Sequence, residues 1–263
     1  MCEHIQLIKK SAIHWEIVLN RPEKYNAITN EMYVAMTQIL QSAAQDEQLV
    51  LLSMTGKGKY YSSGTDLADP AKAFMSNDDI EQAMNEGKNR LKNFIESFIS
   101  FPKILVGFIN GPAMGISVTL LALFDGVYAS SNATFALPFI RIAQAPEACS
   151  SFSFPLLMGS LHAKELLLFD KKIDAYEAQQ KGLVTRVFDQ SKFDEEKDKI
   201  CQQILSLPKQ SLLTSKVLIQ KWNLDTLKYV NEYELNNLQQ RWTSEEFAQA
   251  MITFLNKRTK SNL

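Results

Sequence analysis

The sequence predicts an α/β fold built on a parallel sheet and followed by a helical C-terminal region. Apolar strand-like runs alternate with amphipathic helical stripes through the first half of the chain, and glycine-containing turns follow two of those runs. Beyond Pro208 the pattern is helical to the end. Parallel strands joined by right-handed crossovers place ligands beyond their carboxyl ends, the edge at which the two glycine turns fall. With 263 residues and 46% hydrophobic content, the chain can bury one sizeable core. The expected division is a core over residues 1–205 and a helical region over 206–263.

The elements follow in order. From Ala12 to Leu19, Ile13, Trp15, Ile17 and Leu19 alternate with His14 and Glu16, the period-two signature of a half-buried strand. Met32, Ala35, Met36, Ile39, Leu40 and Ala43 then form one stripe of a helix beginning near Thr29 or Asn30. Leu49 to Met54 is a continuous apolar run ended by Gly56 and Gly58, which suits a strand buried on both faces. The following Gly56-Lys57-Gly58-Lys59 lacks the Gly-Lys-Ser/Thr ending of a nucleotide loop and reads as a turn.

Asp69 to Asp79 is polar, carries Pro70 and reads as an excursion before a helix striped by Leu91, Phe94, Ile95, Phe98 and Ile99. Ile104 to Ile109 returns as a buried strand. Asp174 stands three residues before Glu177, a helix-capping spacing, and Gly182 supplies the stop. On the last helix Phe247, Ala250, Met251, Phe254 and Leu255 make an apolar face suited to covering a partner subunit or the chain's own site. No internal repeat or low-complexity tract is present.

A net charge of -1 with interspersed signs gives no basic face for nucleic acid or anionic membrane. Cys2, Cys149 and Cys201 lack metal or disulfide spacing and read as reduced thiols, and His4, His14 and His162 are isolated, so no metal is expected. The N-terminal residues resemble neither a secretion signal nor an organelle presequence, and no apolar run reaches membrane-spanning length. Ser261-Asn262-Leu263 resembles the peroxisomal Ser-Lys-Leu tripeptide without its basic residue, so a peroxisomal address stands beside a chance polar tail, with cytoplasm or mitochondrion as alternatives.

Between Lys103 and Lys164 the formal charges are Asp125, Arg141 and Glu147 alone. Glu147, in the apolar stretch Gln144-Ala145-Pro146-Glu147-Ala148-Cys149, is a candidate proton shuttle, because a carboxylate shielded from water becomes basic enough to take a proton from carbon. A helix N-cap or solvated turn is the local alternative, since Pro precedes it and Ser150-Ser151 follow closely. Two further segments, Tyr61-Ser62-Ser63-Gly64-Thr65-Asp66-Leu67 and Asn110-Gly111-Pro112-Ala113-Met114-Gly115-Ile116-Ser117, could each offer a backbone N–H to one oxygen. The second runs into the apolar Val118-Thr119-Leu120-Leu121, so its N–H groups are expected at a helix N-terminus. Each alone also fits an ordinary glycine turn.

In this order the motifs resemble the crotonase, or enoyl-CoA hydratase/isomerase, superfamily over nearly the whole chain. The resemblance implies a crotonase (ClpP-like) spiral of ββα repeats with a C-terminal helical trimerisation region. It implies that Asn20-Arg21-Pro22-Glu23-Lys24-Tyr25-Asn26-Ala27 lies along coenzyme A, with Lys24, Asn26 and Ala27 as contacts. Ser62, Ser63, Gly64, Asp66 and Leu67 resemble the first oxyanion segment, where the Thr65 N–H binds the thioester oxygen. Gly115 and Ile116 resemble the second, contributing the Ile116 N–H. The two glutamates with which hydratases of the family add water correspond here to Thr119 and Phe139, whereas the isomerase branch uses a single later glutamate, where Glu147 stands. The stretches Ser117 to Leu121 and Phe124 to Ser130 also resemble the peroxisomal 3,2-trans-enoyl-CoA isomerases, a family that often carries an N-terminal acyl-CoA-binding domain not seen in this sequence.

The implied activity is migration of the 3-cis or 3-trans double bond of an enoyl-CoA to 2-trans during unsaturated fatty acid beta-oxidation. Coenzyme A is part of the substrate and no separate cofactor is implied. Phe139 and Phe135 are candidate pocket lining or ordinary core, and Lys257 and Arg258 are candidates to approach the coenzyme, from this subunit or a neighbour. A homotrimer or hexamer is implied. Two alternatives remain: a non-catalytic acyl-CoA-binding module like the crotonase-like domains of chromodomain Y-like corepressors, which lack this acid, and another crotonase reaction such as hydration or dehalogenation.

Overall fold

A computed structural model describes residues 2–67 and 80–261, with side chains described for 2–67 and 81–253. Asp69 to Asp79, Asn262, Leu263 and the side chains of Phe254, Leu255, Lys257, Arg258 and Ser261 lie outside the described residues.

The strands are β1 (Ile5–Ser11), β2 (His14–Leu19), β3 (Leu51–Gly56), β4 (Ile104–Ile109), β5 (Ala113–Met114), β6 (Gly126–Ser130), β7 (Thr134–Ala136), β8 (Lys172–Asp174) and β9 (Arg186–Phe188). The helices are α1 (Asn30–Gln45), α2 (Ile80–Ile99), α3 (Ile116–Thr119), α4 (Ser150–Met158), α5 (Ser160–Leu168), α6 (Ala175–Gln180), α7 (Phe193–Leu205), α8 (Lys209–Trp242) and α9 (Glu245–Ser261). The larger sheet runs β1-β2-β3-β4-β6-β9, antiparallel at β1-β2 and parallel thereafter, and a smaller one runs β5-β7-β8.

β3 and β4 emerge as read, continuous apolar runs in the sheet interior with residues 51–55 and 104–109 buried. β2 does not. It was expected to be half-buried with His14 and Glu16 facing water, yet all six residues are buried, while Ile13 is exposed. β1 pairs on one side, β3 on the other, and α7 covers the second face, where Lys197 Nζ holds the Glu16 carboxylate at 3.0 Å. His14 Nε2 lies 2.8 Å from Ser53 Oγ on β3, so both polar groups on that face are satisfied internally. β1 itself was not anticipated, although Ile5 and Leu7 carry a short alternation.

Thr29 caps α1 by accepting from the Met32 N–H, and Asp174 caps α6 by accepting from the Glu177 N–H, both at the expected junctions. The apolar helix expected from Val118 is instead one turn, α3, passing into a 3-10 turn at Leu120–Leu123, so its dipole is smaller than a full helix would give. One core gathers Trp15, Ile17, Leu19, Leu52 and Met54 of the sheet with α1, α2 and two residues of α8, Leu235 and Leu238. A second joins β5, β6 and β7 to α4 and α5 and absorbs Phe135. The helical C-terminal region therefore shares its core with the segment before it.

Phe94 of α2 is fully buried and meets Tyr33 of α1 edge-on at 4.7 Å and Phe98 at 5.0 Å. Phe94→Ala leaves a cavity between α1 and α2 and is expected to lower unfolding free energy by about 3–5 kcal/mol, read as a reduced urea midpoint at unchanged m-value.

Candidate active site

The two glycine segments lie side by side. Met114 donates its N–H to the Ser62 carbonyl at 2.9 Å, and Ser62 and Ala113 form a parallel bridge. Ser117 Oγ ties the pair by donating to the Ser62 carbonyl at 3.1 Å, and Ser62 Oγ accepts from the Gly64 N–H at 3.1 Å. The approach is too close for side chains at Gly64: a Cβ there would stand 2.7 Å from the Met114 carbonyl oxygen. Gly64 and Gly115 both hold positive φ, 83° and 57°, which turns the next residue's N–H out of the pairing. Among the described residues, neither the Thr65 N–H nor the Ile116 N–H has an acceptor, and both residues line one cavity of about 320 Å³.

Glu147 lines the same cavity at 7% exposure. Among the described residues its carboxylate has no hydrogen-bond donor, and burial, then the negative charge of Glu234, pushes its pKa up to about 8. It neither caps a helix nor faces solvent, the alternatives its flanking residues allow. Instead its backbone carbonyl accepts from Ser150 Oγ at 2.7 Å, at the turn leading into α4. That turn holds Ala148 and Cys149 at φ 55° and 62°, left-handed values costing on the order of 1 kcal/mol each for non-glycine residues.

The remaining wall is mostly apolar: Leu67, Met84, Leu91, Phe139, Leu238, Trp242 and Phe247. Glu86, the other carboxylate on the lining, is exposed and accepts from Gln82 at 3.0 Å. Thr119 is fully buried away from the cavity, with its hydroxyl on the Ile116 carbonyl. Water activation by paired carboxylates therefore has no second acid at either hydratase position.

Several residues expected at the ligand stand one layer behind the cavity wall. Asn26 is fully buried; its Oδ1 accepts from the Arg21 N–H at 2.9 Å, and its amide donates to the Lys57 and Tyr60 carbonyls at 3.0 and 2.8 Å. Asp66 pairs with Arg21 at 2.6 Å, and Arg21 also donates to the Ala27 carbonyl at 3.1 Å. Asn26 and Asp66 thus fasten the early loop to the first glycine segment, and Ala27 and Ser62 are buried with them. Ser63, Gly64, Leu67, Gly115 and Phe139 do line the cavity, and Lys24 is exposed on the loop.

Sequence reasoning missed Tyr33, whose buried hydroxyl shares a 2.8 Å hydrogen bond with Thr65 Oγ1 and so braces the first glycine segment. It also missed Glu234 of α8, which accepts from the Cys149 N–H at 2.7 Å and the Ser151 N–H at 2.9 Å. Both lie on helices whose sequence periodicity shows burial but not what is faced.

The sequence profile of the enoyl-CoA hydratase/isomerase family matches residues 9–262. The chain is 46% identical over 245 residues to enoyl-CoA delta isomerase 2 of Rattus norvegicus, covering 93% of this chain and 62% of that protein, so it spans less than two thirds of that relative. It is 42% identical to the peroxisomal enoyl-CoA delta isomerase 3 of Mus musculus, covering 94% and 77%. A crystal structure of an enoyl-CoA hydratase/isomerase from Pseudoalteromonas atlantica is 30% identical and superposes with a TM-score of 0.85, covering 97% and 98%.

Proposed function

Because the chain belongs to the enoyl-CoA hydratase/isomerase family, we propose that it acts as an enoyl-CoA isomerase, moving the double bond of 3-cis and 3-trans enoyl-CoA esters to 2-trans. One observation carries this reading: among the described residues a single buried carboxylate, Glu147, shares an apolar cavity with two N–H groups that have no acceptor, those of Thr65 and Ile116. The C2 hydrogen of a 3-enoyl thioester is acidified by the carbonyl and by the double bond. Glu147 takes that proton, the electron pair moves into a dienolate, and its oxygen is held by the two N–H groups. The protonated Glu147 then returns the proton to C4, leaving the double bond between C2 and C3.

Burial supports both halves of the cycle, since a carboxylate pushed to about 8 is a stronger base than an exposed one, and its acid form readily protonates the dienolate. An apolar wall also strengthens the two N–H interactions. The chemistry is proton movement alone and calls for no metal or separate cofactor. A peroxisomal setting is supported by the mouse relative's name. A homotrimer or hexamer is supported by the exposed Leu156, Leu161 and Phe169 on and beside α4 and α5.

The test is turnover of 3-enoyl-CoA esters of graded chain length, with water addition to 2-enoyl-CoA followed in parallel. Formation of the conjugated thioester without hydration is the expected result. Saturable binding without turnover would assign an acyl-CoA-binding module, and dominant hydration would assign the hydratase reaction.

A further inference from the structure

We propose that Glu234 is a positioning residue for Glu147: from α8 its carboxylate clamps the strained turn that carries Glu147, and its charge sets the pH range over which Glu147 works as a base. The inference rests on the isomerase reading and deepens it.

The two oxygens of Glu234 are divided between two backbone donors. Oε2 accepts from Cys149 and Oε1 from Ser151, which bracket the start of α4. Cys149, the residue before α4, has no side-chain cap of its own, so a carboxylate from α8, more than eighty residues away in sequence, takes that place. The same helix accepts a contact from the Cys149 thiol, which donates to the Leu227 carbonyl at 3.2 Å. Ala148 and Cys149 are fully buried at positive φ, so the backbone leaving Glu147 is fixed by these contacts rather than by its own preference.

The electrostatics follow from the same placement. Glu234 is 5% exposed, and with two charge-assisted N–H bonds at a helix N-terminus it keeps its charge more readily than Glu147, which has no donor among the described residues. Burial lifts its pKa to about 7 against the pull of those bonds, and its anion is the second cause, after burial, of the elevated value at Glu147. Other ionisable groups around the pair are Tyr33 of α1, Glu86 and Arg90 of α2, and Cys149. Lys88 and Lys92 of α2 are engaged by Glu232 on α8.

The experiment is the pH dependence of kcat/KM for a 3-enoyl-CoA ester in the wild type and in Glu234→Gln. The acid limb of the profile reports Glu147 in the free enzyme. Removing the neighbouring negative charge is expected to move that limb down by about one pH unit, with KM little changed and the plateau kcat reduced because one N–H of the turn loses its acceptor. A limb that stays at the wild-type position, whatever the plateau, would overturn the proposal, since a purely structural cap changes the height of the profile and not its midpoint.

Should Glu234→Gln fail to fold, carboxyl-labelled glutamate provides a second readout by NMR titration. In the wild type Glu234 is expected to lose its proton before Glu147, and a Glu147 midpoint at or below that of Glu234 would overturn the inference. That titration needs no turnover. A wild type inactive on 3-enoyl-CoA would refute the isomerase reading while the titration still decides the role of Glu234.

Discussion

Glu147→Gln is expected to lower kcat for double-bond migration by about 10³-fold or more, in line with removal of a general base that serves twice in one cycle, while the acyl-CoA ester still binds. The cavity wall and both N–H donors are untouched by the change, so KM is expected to move little. Wild-type-like kcat in a continuous assay would end the assignment.

The same substitution is expected to stabilise the fold at alkaline pH. In the folded chain Glu147 holds its proton up to about 8, against an ordinary value of 4.5. Between those two values the folded state binds more protons than the unfolded state, so unfolding free energy falls as pH rises from 4.5 to 8 and is lowest above 8. Glutamine has no charge to bury. Thermal melts at pH 9 are expected to favour Glu147→Gln by a few kcal/mol at most, with the difference vanishing toward pH 4.5. A variant less stable than wild type at pH 9 would contradict the burial of an unsolvated carboxylate at this position.

Gly64→Ala is the second large effect. Its Cβ would fall 2.7 Å from the Met114 carbonyl oxygen, a backbone atom fixed in the pairing of the two glycine segments, and φ is 83°. Relief requires the segments to part, which swings the Thr65 N–H away from the position shared with the Ile116 N–H. Loss of one such donor is worth about 10²–10³ in kcat, so a decrease of that order is expected, together with about 1–3 kcal/mol of lost stability. The readout is a kcat deficit that persists at saturating substrate. Full activity would mean that the two amides do not act on one oxygen.

Much of this site was legible in the chain because its chemistry is local. Gly64 and Gly115 announce sharp turns, and the sparse charge around Glu147 singles out that carboxylate in an apolar stretch. The pairing of Ser62 with Ala113 brings the turns together over about fifty residues of sequence, and only the strand order discloses it. At the early loop two polar residues hold structure. Asn26 and Asp66 read as ligand contacts, while in the fold the Asn26 amide ties the backbone of the loop to that of Lys57 and Tyr60 and the Asp66 carboxylate pairs with the Arg21 guanidinium. A polar residue in a ligand-contacting segment is equally suited to holding that segment's shape, and composition does not separate the two. Glu16 and His14 were set on a solvated face because alternation reports pattern, not whether a further helix covers the polar side. Glu234 carried no signal at all, being one acid among several on a long polar helix.

Helix α8 does three jobs at once: Leu235 completes the main core, Leu238 and Trp242 close the cavity, and Glu234 grips the turn behind Glu147. During synthesis the ribosome delivers every strand of both sheets before any of these residues emerges. A nascent chain can thus pair its strands while the cavity beside Glu147 still lacks one wall and the turn behind it lacks its clamp, both of which arrive when α8 leaves the exit tunnel.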